Sequence, residues 1–363
     1  MKILFEVRHP AHIHHFKNII EILKRKNHEI KIVAADKDIL RNLLDSLKYD
    51  YVLIGSHKTG LANKLKEIMY QTKKVYRICK TYKPDIVVGR PSQTITLSSF
   101  LLGIPSIIFA EDDLKVVLLN GLIALPFANT ILTPEKTDLG IFNRKKIPYK
   151  GYQKVTYLHP NQFKPNIHLI EKYVDTSRPI FLLRFSKLNA SHDLNISGIN
   201  NNLALDIVKR LKPHGIVYIS SERTLSTELS AYKLKLPAEH IHHLLYFSKL
   251  YIGDSQSMAV ESAILGTPGI RYSDFAGKIS VLEELEHTYK LTFGIPTNQP
   301  DKLFNKIDEL LSEKELDKIF KERGDKLKSE IIDVAEYNAW FIDQFPASKK
   351  IMKTNPDYQY KFR

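Results

Sequence analysis

The sequence predicts an α/β protein made of two Rossmann-like, doubly wound domains, and three observations carry that reading. The first is rhythm: short runs rich in Val, Ile, Leu and Phe alternate with segments of helical period, as βαβ units do. The second is the nearly continuous apolar character of those runs, the mark of strands covered on both faces in a parallel sheet. The third is scale. With 363 residues and 43% hydrophobic content, the chain has room for two cores of ordinary size and a composition unlike that of a disordered segment.

Taken in order, Lys2 to Val7 is the first buried strand, and the turn from Arg8 to His12 leads into a helix with apolar positions Ile13, Phe16, Ile20 and Leu23. Asn27 closes that helix, and residues 29–34 form the next strand. A helix follows over 39–47, a strand at 51–54 and a long basic helix over 61–82. Residues 85–89 and 105–109 are further buried strands, with a helix over 94–102 between them. Turn chemistry thins from 131 to 179, and Tyr149 to Gln153 and Tyr157 to Pro160 read as irregular structure. A linker is placed near 160–178. A second α/β series then opens with strands at 179–183, 215–219 and 250–253, and residues 331–345 form a last packed helix. The domains expected are 1–165, 178–345 and a basic tail over 346–363.

Composition narrows the classes. One cysteine, Cys79, excludes an internal disulfide and a cysteine zinc cluster. The start of the chain carries no signal-peptide pattern and no stretch has the length of a membrane span, so a cytoplasmic protein is expected. Residues 116–128 are the most apolar stretch, read as a core helix or as a surface that touches something apolar. A net charge of +14 fits anionic small molecules or peripheral contact with an anionic membrane on the inner face. It equally fits a lysine-rich solvated surface. No zinc-finger spacing, RNP motif or helix-turn-helix points to nucleic acid.

The richest stretch runs from Leu250 to Pro268 and reads as strand, tight turn and helix. Ser255 is an N-cap residue, and Gly266 with Pro268 supplies the stop. A helix start at the carboxyl end of a strand presents amides and partial positive charge, a site for phosphate. Ser257 and Glu261 are four residues apart on one helix face, so Glu261 is placed to accept hydrogen bonds from ribose hydroxyls. An ordinary well-capped helix has the same pattern.

This stretch resembles the nucleotide-sugar motif of the UDP-N-acetylglucosamine 2-epimerases and related GT-B glycosyltransferases, which carry Asp-Ser-Gly-Gly and then a Glu. The resemblance implies a GT-B architecture, two Rossmann-like domains facing a cleft, with the donor on the C-terminal domain. It implies that Ser255 and Ser257 contact the diphosphate and that Glu261 contacts the ribose. Gln256 stands where the family has Gly. Further stretches, His9 to His12, Gly89 to Ser92, Gly151 to Gln153 with Tyr157 to Pro160, and Leu265 to Pro268, resemble the domain-of-unknown-function family 354, a GT-B relative. That likeness runs from Met1 to about Phe345.

Other candidates cluster at predicted strand ends. The first turn holds Arg8, His9, His12, His14 and His15, of which His12 is the choice for a general base or a phosphate or sugar contact. These histidines point to different helix faces, so no metal is expected. Glu111 and Asp112 follow a buried strand. In the epimerase relatives a catalytic Glu lies at the place of Glu111, and a carboxylate there would deprotonate a sugar hydroxyl in a transferase or C2 in an epimerase. A solvated acidic helix start is the alternative. Arg8 and Arg90 are placed for phosphate or sugar contact, or Arg90 for an ion pair with Glu111 or Asp112. Arg184 is placed to neutralise a leaving diphosphate, with His192 in the loop beyond. There is no Asp-x-Asp motif, so no required cofactor or divalent metal is expected.

The reading is a GT-B-like glycosyltransferase with a nucleoside-diphosphate sugar, UDP favoured, as donor. A glycan or lipid-linked acceptor would place it in surface polysaccharide or glycolipid biosynthesis. A nucleotide-sugar epimerase or hydrolase, and a non-catalytic nucleotide-sugar-binding protein, are the alternatives.

Overall fold

The computed structural model describes residues 1–56, 61–186 and 198–363. The chain divides into two compact units, Met1–Gln162 with Ile331–Arg363, and Phe163–Glu330.

In the first unit, β1 (Lys2–Val7) is followed by α1 (Pro10–Arg25), β2 (Glu29–Asp36), α2 (Asp38–Ser46), β3 (Tyr51–Ser56) and α3 (Leu61–Tyr82). Then come β4 (Ile86–Gly89), α4 (Gln93–Leu101), β5 (Ser106–Phe109), α5 (Leu118–Ala124), β6 (Thr130–Pro134), β7 (Lys146–Tyr149) and α6 (Val155–Leu158). The strands form one parallel sheet in the order β3-β2-β1-β4-β5-β6-β7. Sequential strands run outward from β1 to β3, and the chain then crosses back to β4. Right-handed crossovers therefore put α1 and α2 on one face, and α3 and α4 on the other. The core on the second face joins Leu4, Val87 and Ile108 of the strands to Val75 and Cys79 of α3 and Ile95 of α4. β6 and β7 lie where the turn chemistry of the sequence thins, and the sequence reading assigned no strand to either. They are short, and β7 carries Pro148, which an edge strand tolerates.

The second unit holds β8 (Ile180–Phe185), α7 (Asn201–Leu211), β9 (Ile216–Ser221), α8 (Thr227–Ser230), α9 (Ile241–Phe247), β10 (Ser248–Gly253) and α10 (Gln256–Leu265). It continues with β11 (Gly269–Tyr272), α11 (Ser280–His287), β12 (Thr292–Ile295), α12 (Pro300–Ser312) and α13 (Leu316–Glu330). Its sheet is also parallel, in the order β12-β11-β10-β8-β9.

The division differs from the expected boundaries at 345. Residues from 331 onward return to the first unit as α14 (Val334–Asp343), α15 (Ala347–Thr354) and a 3-10 segment (Pro356–Phe362). Trp340 of α14 stacks on Tyr358 at 4.8 Å, and the amide of Lys150 donates to Gln359 Oε1 at 2.7 Å. Lys26 and His28 both meet Asp343, at 2.9 and 2.7 Å. Aromatic burial, not local charge, thus decides the fate of this basic segment. Gly151, at φ 139°, makes room for it: a Cβ there would lie 2.9 Å from Val334 Cγ2.

Candidate functional site

In open parallel sheets, ligands bind at the carboxyl ends of strands where the strand order reverses. The first unit reverses between β1 and β4, the second between β8 and β10. The candidates from the sequence lie mostly at these two points.

At the β8/β10 point, the register sets Ser220, Arg184, Gly253 and Arg271 side by side on four adjacent strands. Asp254, the next residue, is buried. Its carboxylate accepts from the amides of Ser186 at 2.7 Å and Ile199 at 3.4 Å, so it fixes the backbone beside the turn. Burial raises its pKa, opposed by those amides and by Arg223. Ser255 caps α10, its hydroxyl accepting from the Met258 amide at 3.3 Å. The amides of Gln256 and Ser257 come first in the helix and have no acceptor within it. Ser257 is exposed beside them. Glu261 lies one turn further, half-buried, with a carboxylate oxygen 3.4 Å from His242 Nε2. Gly266 closes the helix in the left-handed region at φ 81°.

The Gln256 side chain turns inward. Its oxygen accepts from Arg271 Nη1 at 2.9 Å, and its nitrogen donates to Ser273 Oγ at 2.8 Å. Arg271 is fully buried and faces Glu283 and Glu286 at 3.6 and 3.9 Å. Gln256 is thereby left with its backbone amide as its offering to a ligand. Arg184 donates to Ser220 Oγ at 2.7 Å and pairs with Glu222, which stands half-exposed. His192 lies outside the described residues.

At the β1/β4 point, Arg8 is committed inward. Its guanidinium reaches Glu6 at 3.4 Å, Thr94 Oγ1 at 3.2 Å and Gln71 Oε1 at 2.7 Å. Glu6 is buried, and burial raises its pKa against the opposing influence of Arg8 and Ser92. The Arg8 amide donates to His12 Nδ1 at 3.2 Å. That bond selects the tautomer with the proton on Nε2, so His12 offers a donor rather than a basic nitrogen. Burial, then Arg90 and the neighbouring histidines, hold its pKa well below the ordinary 6.5.

His15 is buried between Phe16 and Phe109, with ring centroids 4.7 and 5.0 Å away. Neither of its nitrogens has a hydrogen-bond partner among the described residues. Burial, with Arg90 and Lys154 nearby, keeps it neutral.

Glu111 is buried just past β5. One oxygen accepts from the Gln153 amide at 2.9 Å, and the other pairs with Lys154 Nζ. Asp112 is more exposed, 4.0 Å from Arg90. The fold therefore assembles His12, His15, Arg90, Glu111 and Lys154 around one sheet edge. Lys154, Glu6, His242 and Arg271 escaped the sequence reading. Lys154 follows the Gly151 to Gln153 stretch directly, and that adjacency was the one available signal.

Among the described residues, no group of three or more His, Cys, Asp or Glu side chains is placed to hold a metal ion. No helix among them is long and apolar enough to cross a membrane.

Two parallel sheets with covering helices, each carrying polar groups at its reversal point, define a protein of the GT-B-like α/β class. The chain belongs to the family described as "Protein of unknown function (DUF354)", which it matches over residues 1–335. It is 25% identical over 284 residues to an uncharacterized protein of Methanocaldococcus jannaschii, covering 74% of this chain and 81% of that one. Among solved structures it is similar to the UDP-GlcNAc 2-epimerase of the same organism, with a TM-score of 0.64 and 15% identity, over 86% of this chain and 94% of that one. It is also similar to a spinosyn rhamnosyltransferase, with a TM-score of 0.63 and 14% identity, over 94% of this chain and 99% of that one. At such identities the likeness establishes the fold.

Proposed function

We propose that the protein is a glycosyltransferase that takes a nucleoside-diphosphate sugar as donor and acts on a surface-glycan or lipid-linked acceptor. The observation that carries this reading is the β8/β10 reversal point. There the start of α10, the Arg184 guanidinium and the Glu261 carboxylate belong to one strand-turn-helix neighbourhood. In this reading the diphosphate sits on the amides of Gln256 and Ser257 and on the Ser255 and Ser257 hydroxyls. Arg184 neutralises the charge that grows as the sugar's anomeric C–O bond breaks. Glu261 accepts the ribose hydroxyls in exchange for His242. UDP is the favoured nucleotide: the Methanocaldococcus jannaschii epimerase has been crystallised with UDP-GlcNAc and UDP.

Within the first unit, Glu111 is the group proposed to take a hydroxyl proton as general base, and Lys154 steadies its carboxylate. His12 donates from Nε2, while Arg90 and Asp112 offer contacts to sugar or phosphate. No metal or other cofactor enters this scheme, and the protein works in the cytoplasm. A second reading, epimerisation at C2, is favoured by the placement of Glu111 as a buried carboxylate past β5. There the same group removes a carbon-bound proton.

The test incubates the protein with UDP-N-acetylglucosamine, with and without a lipid-linked acceptor fraction, and follows products by NMR. Sugar transfer that requires the acceptor supports the transferase. A C2-inverted sugar released without acceptor would establish the epimerase instead.

A further inference from the structure

We propose that the outer surface of α3, α4 and α5 is a docking face for an anionic lipid bilayer. The helices cover one side of the first sheet and bury their inner sides in its core, yet their outer sides are unusually apolar. In the seven-residue helix α5, Leu118, Leu119, Leu122 and Ile123 are all exposed, Leu119 by 76%. These form two i,i+4 pairs on one side of the helix. At the end of α4, Phe100 and Leu101 are exposed by 59% and 60%, and the Phe100 ring meets Phe127 just beyond α5 at 5.4 Å. Single exposed leucines are ordinary, but a cluster on adjoining elements marks an interaction surface. The stretch expected to be a core helix or a surface that touches something apolar exposes four large apolar side chains.

Charge selects the occupant. Neither α4 nor α5 contains a charged residue. α3 packs against α4, where Ser98 Oγ donates to the Thr72 carbonyl at 3.1 Å. The sequence of α3 carries Lys64, Lys66, Lys73, Lys74, Arg77 and Lys80 against one acid, Glu67. Along its exposed side the i,i+4 series runs Leu65, Met69, Lys73, Arg77, so apolar and basic character follow each other on one stripe. Apolar side chains that enter the acyl boundary beside lysines and arginines at headgroup level are what an anionic membrane surface binds. A second copy of this chain is disfavoured, since a two-fold axis would set this basic stripe near its own copy. This face shares no residue with the proposed sugar site, so either reading can fail without the other.

The test is co-sedimentation of the full chain with vesicles of phosphatidylcholine alone and of equal parts phosphatidylcholine and phosphatidylglycerol. We expect binding to the mixed vesicles that weakens with salt, and little binding to the neutral ones. Leu119→Glu with Leu122→Glu should lower partitioning by about tenfold or more, and Lys73→Glu with Arg77→Glu by a similar factor, with unchanged circular dichroism. The second pair replaces exposed, charged positions, so the test survives a folding defect in the first. No binding to either vesicle, equal binding to both, or variants that bind like the wild type would overturn the proposal. So would a wild-type dimer in light scattering that Leu119→Glu converts to a monomer while vesicle binding is absent.

Discussion

Replacing Lys154 with methionine tests the electrostatic arrangement at the first unit's sheet edge. Glu111 and Lys154 have side chains exposed by only 6% and 16%, and the Glu111 carboxylate also accepts from the Gln153 amide at 2.9 Å. Removing one partner of a buried pair leaves an uncompensated charge, at about 3–5 kcal/mol. The retained amide bond and the small opening at Lys154 point to the lower end, about 3 kcal/mol. For a unit of roughly 200 residues this corresponds to a fall of about 6–12 °C in the melting transition. Adding Glu111→Gln to Lys154→Met removes the stranded charge and should restore about 2 kcal/mol. Calorimetric melting of the wild type, both single variants and the double variant measures the coupling. A Lys154→Met protein that melts with the wild type, or a double variant no better than that single one, would mean that Glu111 and Lys154 are not an energetically coupled pair.

Two further predictions concern stability. Burial holds His15 well below 6.5, so the unfolded chain binds a proton that the folded chain refuses. Stability should therefore fall as pH drops through about 6.5, by up to about 1.4 kcal/mol per pH unit for this group. Urea midpoints at several pH values, compared with His15→Phe, should give a shallower slope for the variant; identical slopes would contradict the assignment. Gln256→Ala removes the acceptor of the buried Arg271 Nη1 and should cost about 1–3 kcal/mol. An unchanged urea midpoint would mean that this bond contributes nothing.

Much of the fold was legible because its strands are buried on both sides and so read as uninterrupted apolar runs. Lys2 to Val7, with all but its first residue buried, is the clearest case. What escaped was set by distant contacts. Residues 346–363 read as a basic tail, but Tyr358 and Phe362 pack on Trp340, and the Asp333 amide donates to the Phe362 carbonyl at 2.6 Å. The site was half legible. Caps and strand ends gave Ser255, Glu261, Arg184 and Glu111 their positions, since those follow from local chain geometry. The inward turn of Gln256 and of Arg8 did not follow, because each answers to a partner on another element: Arg271 in one case, Gln71 and Thr94 in the other. Glu6 was hidden inside an apolar strand for the same reason.

The property on which the proposed function rests is nucleoside-diphosphate binding by the turn from Asp254 to Glu261. Its most direct measurement is a calorimetric and thermal-shift titration of the wild type and Glu261→Ala with UDP, GDP, CMP and dTDP. A nucleotide at 100 times its dissociation constant should stabilise the wild type by about 2.7 kcal/mol. The variant should bind that same nucleotide about 1–3 kcal/mol more weakly, the scale of a lost charged hydrogen bond. If none of the four binds, or if Glu261→Ala binds as tightly as the wild type, this turn is a capped helix and nothing more.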